Sequence, residues 1–461
     1  MSASDRNSAS DRDAARRIVF VSQRPSGESL RSARGVKRLG GVCLLGVCEE
    51  AAREDVSEVF DELVCIADAH DTSRLIDAAR ALGRRHGPLE RILTAQETLL
   101  EPAALACEAL GLRGMTPATV RRALDKPSLR RTLERAGVGT ARGRLITSDE
   151  DARRFAAEAG YPLVLKPAGG SGGLATRRVR DDEQLEHALA LMKPSAENFV
   201  VAEECLRGQE LCFDTITVDD EPRLYSVCCY RPSILEALEN PQTLWTCMMP
   251  RDIECERYRE FIGQGLKAVR ALSVGNAMTH MEGFLLEGGG VCFTDATLRP
   301  AGARIGPMLG LAYDIDPYAA WARVAADGCF DGPWERKFAV GTIFLRGTGR
   351  GHVARVRGVE ALRRQVGGLL AEARLPRVGA PKSATYTGDG FVTVRHPETH
   401  AVEDALDLIA LSVVVEYDGR EPAAARHEAA SEQRPQRMLC TNRQLSKPAW
   451  DDDALPGLED A

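Results

Sequence analysis

Thr279-His280-Met281-Glu282-Gly283-Phe284-Leu285-Leu286 runs through Glu287-Gly288-Gly289-Gly290 into Val291-Cys292-Phe293-Thr294-Asp295-Ala296-Thr297-Leu298-Arg299. Two β-type runs joined by a Gly-rich turn predict a hairpin. Pairing Leu286 with Val291 sets Glu282 directly opposite Asp295, with Cβ atoms about 5 Å apart on one face. Thr297 and Arg299 follow on that face, because side chains alternate along a strand. Two like charges placed opposite each other destabilise a sheet unless something positive lies between them. A divalent cation serves, and Mg²⁺ favours a few carboxylates together with phosphate oxygens. Arg299 adds a rigid cationic fork suited to an acyl phosphate or a developing oxyanion. On an ordinary surface hairpin the same acids would simply face solvent, so a further phosphate-binding feature has to decide.

Such features lie upstream. Tyr161-Pro162-Leu163-Val164-Leu165-Lys166 reads as a buried strand ending in a lysine, and it runs straight into Pro167-Ala168-Gly169-Gly170-Ser171-Gly172-Gly173. Glycines allow close backbone approach, so successive N–H groups can cradle a phosphate, and the lysine adds a point charge for the same anion. A Gly-rich turn alone is equally a hairpin loop. Asp125-Lys126-Pro127-Ser128 opens a predicted helix through Ala136, ended by Gly137. Phe199-Val200-Val201-Ala202-Glu203-Glu204-Cys205-Leu206-Arg207-Gly208-Gln209-Glu210 gives an apolar strand, an acidic hinge and a second strand. The hinge backbone can read an adenine edge and Glu210 can bond ribose hydroxyls; taken alone, the stretch is equally an exposed acidic turn.

The chain of 461 residues is long enough for about three domains. Its 44% hydrophobic and 28% charged content is that of a well-cored globular protein. A formal charge of -7 argues against a nucleic-acid partner. No run approaches the roughly 20 apolar residues of a membrane span, and the first residues lack an apolar secretory core, so a cytoplasmic location is expected. The thirteen cysteines are scattered with no CxxC and read as reduced, mostly buried thiols.

Residues 1–15 read as disordered. Apolar runs at Ile18–Val21, Val42–Val47, Leu63–Ile66 and Arg91–Thr94, spaced by helical patterns such as Ser73–His86, predict a parallel α/β layer over residues 16–115. No GxGxxG follows its first strand, so a dinucleotide fingerprint is absent. Residues 116–195 read as helix-rich with a strand pair, and 196–330 as longer strands with helices such as Arg257–Leu272. A third region, 331–418, alternates strands (Phe338–Leu345) and helices (Val359–Glu372). Residues 419–461 read as a disordered tail.

Taken in order, the Asp-Lys helix, the strand-lysine-glycine loop, the acidic hinge and the paired carboxylates resemble the ATP-grasp superfamily over roughly residues 100–310. Ala106–Met115 looks like the entry to that domain. The resemblance implies an α/β (α+β) architecture: a Rossmann-like pre-ATP-grasp domain (16–115), an ATP-grasp domain (116–330) and an associated α+β region (331–418). It makes Lys126 and Lys166 the ATP-phosphate lysines and folds Gly169, Gly170, Ser171, Gly172 and Gly173 over the phosphates. It lines the adenine hinge with Glu203, Glu204 and Leu206, and gives ribose to Glu210. It gives Mg²⁺ or Mn²⁺ to Glu282, Asp295 and Thr297, and the acyl phosphate and tetrahedral intermediate to Arg299.

Asp295 stands where the superfamily usually has Glu, and Thr297 where Asn is common. The L-amino-acid ligase-like (carboxylate–amine ligase) branch often lacks that Asn yet keeps an arginine four residues after the acid, as with Asp295 and Arg299. The resemblance to this branch implies an ATP-dependent C–N ligase forming an amide through an acyl phosphate, with amino-acid substrates and a homodimer as the family-based oligomer. Arg304, in Ala301–Ile305, is then a candidate carboxylate binder, and Pro232–Arg251 with Trp245 a candidate specificity loop. A biotin-carboxylase-like or other carboxylating enzyme is the alternative; Pro300-Ala301-Gly302-Ala303 after Arg299 lacks that family's bicarbonate-handling pattern. A non-catalytic nucleotide-binding regulatory protein is the other alternative.

Overall fold

Residues 16–167 and 175–419 are described by the computed structural model. Strands β1 (Arg16–Ser22), β2 (Val42–Cys48), β3 (Glu62–Cys65) and β4 (Arg91–Leu93) pair in parallel in the order β3-β2-β1-β4. Val19, Val21, Leu45 and Val47 pack against the helices Thr72–His86 and Leu100–Leu110. Ile18, Phe20 and Leu44 pack the other way, onto the helix Gly27–Lys37 and onto Trp321 of the helix Pro317–Asp327. Burial on both faces is why the strands read as continuous apolar runs rather than alternating ones.

A second, antiparallel sheet holds β5 (Gly143–Ile146), β6 (Leu163–Pro167), β7 (Arg177–Val179) and β8 (Val200–Glu204) in the order β5-β8-β6-β7. Among the described residues, 116–195 therefore carry three strands rather than the expected pair. β5 and β7 are short and arginine-bearing, and offer no apolar run to detect.

The largest sheet has eight strands. β9 (Gly208–Val218), β10 (Glu221–Arg231), β11 (Trp245–Met249), β12 (Ala277–Leu286), β13 (Val291–Thr297) and β14 (Ala339–Leu345) belong to it. β16 (Leu370–Arg374) and β17 (Gly390–His396) complete the order β13-β12-β9-β10-β11-β14-β17-β16, whereas β15 (Val353–Arg357) stands apart and pairs with β18 (Val414–Tyr417). The position 330 assigned from sequence as a domain boundary thus lies inside a stretch whose two sides feed one sheet. The expected helix Val359–Glu372 ends at Val366: Gly367 and Gly368 break it into a 3₁₀ turn, and Leu370 onward pairs with β17.

The β12–β13 hairpin keeps the expected outcome by a different route. Leu285, not Leu286, faces Val291, and a bulge at Thr294 takes up the extra residue so that Glu282 faces Asp295 after all. Gly283 permits this crowded crossing, because a Cβ there would lie 2.7 Å from Cys292 O and 2.8 Å from a Phe293 ring carbon.

Candidate active site

The face of the large sheet that carries Glu282 reads in rows. Antiparallel register puts Glu210 opposite Phe284, Cys212 opposite Glu282, which in turn faces Asp295, and Asp214 opposite His280, which faces Thr297. Directly opposed residues share a face, so polar groups of three strands converge. Above them opens a cleft of ≈ 320 Å³, closed on the far side by β6, β8 and the hinge after β8. Lys126, Lys166, Glu203, Glu204, Leu206, Glu210, Glu282, Asp295, Thr297 and Arg299 all line it. Gly169, Gly170, Ser171, Gly172 and Gly173 lie outside the described residues.

Asp125 caps the helix Lys126–Arg135 by accepting from Ser128 N at 3.0 Å, which sets Lys126 at the first helical position and aims it into the cleft. Lys126 Nζ lies 2.5 Å from Asp295 Oδ2. Burial works against the lysine charge, but Asp295, backed by Glu203 and Glu282, outweighs it and holds the ammonium above its ordinary pKa. Burial would likewise raise Asp295, yet Lys126 and Lys166 keep it below the usual carboxylate range. Glu210 has no cation in contact among the described residues: burial and the Glu282 charge push it up to about 8, against the hydrogen bond it accepts from Ile234 N at 2.7 Å and the more distant Lys166.

The hinge acids are occupied. Glu203 is gripped by Lys166 at 2.5 Å and Arg130 at 3.0 Å, and Glu204 accepts from Arg142 N at 2.7 Å and Arg142 Nε at 2.9 Å. Their carboxylates are thus turned to basic side chains, while Leu206 and Phe284 offer apolar surface to the cleft. Arg299 Nη2 meets Glu97 at 2.8 Å. Arg304 does not line the cleft: its φ of 67° turns the side chain away, to an ion pair with Glu372 and a seat 4.3 Å over the Phe391 ring. Of the stretch Pro232–Arg251, Ser233, Ile234, Leu235 and Leu238 line the cleft; Trp245 sits behind them, stacked on Phe344 and edge-on to Tyr386.

Thr297 Oγ1 is buried without a hydrogen-bond partner among the described residues, one row from the Glu282–Asp295 pair. An orphaned hydroxyl beside two carboxylates is a hard-oxygen donor set, and it fits Mg²⁺ or Mn²⁺. Three further groups were not singled out from sequence. His280 was legible, two residues before Glu282 and so on its face. Glu97 was partly legible, since it follows a parallel strand at the carboxyl end where ligands gather. Tyr386, from the loop before β17, carried no local signal.

The segment 125–211 matches the family model described as the carbamoyl-phosphate synthase L chain, ATP binding domain. Its span runs from the helix cap at Asp125 through the hinge to Glu210. The fold is that of the ATP-grasp superfamily. An L-amino acid ligase from Bacillus licheniformis superposes on this chain with a TM-score of 0.71 at 18% identity, covering 88% of this chain and 99% of that one. A phosphoribosylglycinamide synthetase from Anaerococcus prevotii gives 0.64 at 14% identity, covering 88% and 100%. In sequence, the alanine–anticapsin ligase of Bacillus subtilis is 26% identical over 246 residues, 50% of this chain and 52% of that protein. That of Bacillus amyloliquefaciens is 26% identical over 277 residues, 56% of this chain and 55% of that protein. The chain therefore spans about half the length of the curated relatives it matches. Among the described residues, no helix is long and apolar enough to cross a membrane, and the cysteines are free.

Proposed function

We propose that the chain is an ATP-dependent carboxylate–amine ligase that joins amino acids through an acyl phosphate, releasing ADP and phosphate. The observation that carries this is the single cleft in which Lys126, Glu282, Asp295, Thr297 and Arg299 converge at the hairpin end while the hinge closes the other end. The names of the alanine–anticapsin ligases in sequence and of the L-amino acid ligase in fold support the same reading over a carboxylase or a regulatory scaffold.

In this reading adenine lies between Leu206 and Phe284, and Lys126 and Lys166 neutralise phosphate oxygens as they become free of their acid partners. Glu282, Asp295 and Thr297 hold Mg²⁺ or Mn²⁺, which supplies charge neutralisation for phosphoryl transfer. The substrate carboxylate attacks the γ-phosphorus, and ADP leaves. The amine then attacks the acyl carbon and phosphate departs, with the Arg299 guanidinium beside the developing oxyanion. Glu97, already against Arg299, offers an ammonium a counter-charge. Leu235, Leu238 and Ile305 line the same cleft and suit an apolar side chain. A cytoplasmic homodimer belongs to the same proposal, as does the N-terminal domain limit at residue 115; the limit at 330 divides one sheet. The test is phosphate release from ATP and Mg²⁺ over a panel of amino-acid pairs, in wild type and Glu282→Gln. Release that depends on the pair and falls at least about 100-fold in the variant is expected. Release indifferent to Glu282 rejects the reading.

A further inference from the structure

We propose that His280, held in place by Asp214, is the positioning residue that fixes the Glu282 carboxylate for its metal. The inference rests on the metal-site reading above. β9 lies beside β12, and their register sets Asp214 opposite His280. His280 Nδ1 stands 2.9 Å from Asp214 Oδ1, and Asp214 Oδ2 accepts from Cys212 Sγ at 3.2 Å. Both oxygens of Asp214 are engaged, so turning the imidazole breaks a short contact to a carboxylate that is itself anchored. The other ring nitrogen, Nε2, lies 3.7 Å from Glu282 Oε1.

Among the described residues, no other side chain in the cleft does this for Glu282. Lys126 goes to Asp295, Lys166 to Glu203 and Arg299 to Glu97. The side chains of His280 and Asp214 are only 12% and 9% exposed, so the sheet and its neighbours hold the couple rigid. Metal-ligating groups depend on such outer partners for their orientation, and losing one typically costs about 10- to 100-fold in metal affinity. A carboxylate that must also face Asp295 at close range gains most from being held, because repulsion would otherwise turn it away.

The test is Mn²⁺ titration of the full chain with a non-hydrolysable ATP analogue, read by electron paramagnetic resonance. His280→Ala is expected to raise the Mn²⁺ Kd by roughly 10-fold or more. Asp214→Asn should raise it less, and His280→Gln should recover part of the loss, since its amide can still reach Glu282. A purely structural role would lower the melting temperature and leave the Mn²⁺ Kd of the folded protein where it was. Wild-type Mn²⁺ affinity in His280→Ala overturns the proposal; if that variant fails to fold, wild-type affinity in Asp214→Asn does so. Glu282→Gln separates the two levels. Unchanged Mn²⁺ binding there removes the metal-site reading itself, whereas loss in Glu282→Gln with none at His280 removes only the positioning role.

Discussion

Acids gather at both ends of the cleft, and their counter-charges are distributed differently. At the hinge, Glu203 takes two cations and Glu204 takes both a backbone and a side-chain donor from Arg142. At the hairpin end, Asp295 is held by Lys126 with Lys166 behind it, whereas among the described residues Glu210 and Glu282 have only a histidine 3.7 Å from Glu282 and an arginine committed to Glu97. Burying a charge is costly unless it is paired. The hinge meets that requirement with residues of the chain itself, and the hairpin leaves it to something that binds. Over-compensated acids here are architecture; under-compensated ones mark where chemistry brings its own positive charge.

The sharpest way to break this contrast is at Arg299. Arg299→Ala should cut kcat about 100- to 1,000-fold, the scale of removing one oxyanion donor, while ATP affinity stays near wild type. Steady-state turnover and nucleotide titration on the same preparation measure both. Unchanged turnover would remove Arg299 from the reaction and leave its pairing with Glu97 a structural tie.

How much of this was legible beforehand follows from which contacts are local. The parallel N-terminal layer was readable because its strands are unbroken apolar runs spaced by helices. Glu282 and Asp295 were readable because both sit on one hairpin. The correct facing came from an incorrect register, rescued by a bulge at Thr294 beside Gly283, where a Cβ would clash with the opposite strand. Asp214 pairs with His280 across 66 residues and Glu97 with Arg299 across 202, and no local spacing announces either. Arg304 failed as a cleft residue for a backbone reason, a positive φ that a non-glycine sequence gives no cause to expect. The family match was legible where the chain is continuous from Asp125 to Glu210; the C-terminal strands join the same sheet only through tertiary pairing.

At the hinge the expected effect moves from rate to stability. Glu203 is 7% exposed at its side chain, with partners each 16% exposed. Glu203→Gln strands two cations and should cost about 3 kcal/mol, seen as a lower denaturant midpoint with an unchanged slope. Glu282→Gln, relieving repulsion with Asp295, should leave that midpoint unchanged or higher in the nucleotide-free protein. Equal losses in the two variants would erase the distinction between the ends.

A subtler probe uses pH. Glu210 has a folded pKa near 8 against an ordinary 4.5, so the folded state holds its proton where the unfolded chain has lost it. Stability from this group is then fully present below about pH 4.5 and declines as pH rises toward 8. Glu210→Gln should flatten that part of the stability–pH curve of the metal-free, nucleotide-free protein. A curve with the wild-type slope would mean that Glu210 is charged in the fold and better compensated than its surroundings indicate.

The smallest effect belongs to the most visible ion pair. Arg142 is 64% exposed and Glu204 27%, so water screens their attraction on one side. Exposed pairs of this kind contribute at most about 1 kcal/mol. Glu204→Gln should therefore shift the denaturant midpoint barely beyond error and leave turnover intact, although Glu204 is the sequence neighbour of Glu203. If Glu204→Gln instead destabilised as much as Glu203→Gln, the hinge would have to be treated as one coupled network rather than a buried anchor with a screened companion. The measurement thus asks whether compensation at the hinge comes from burial or merely from proximity, and burial is what the two exposures favour.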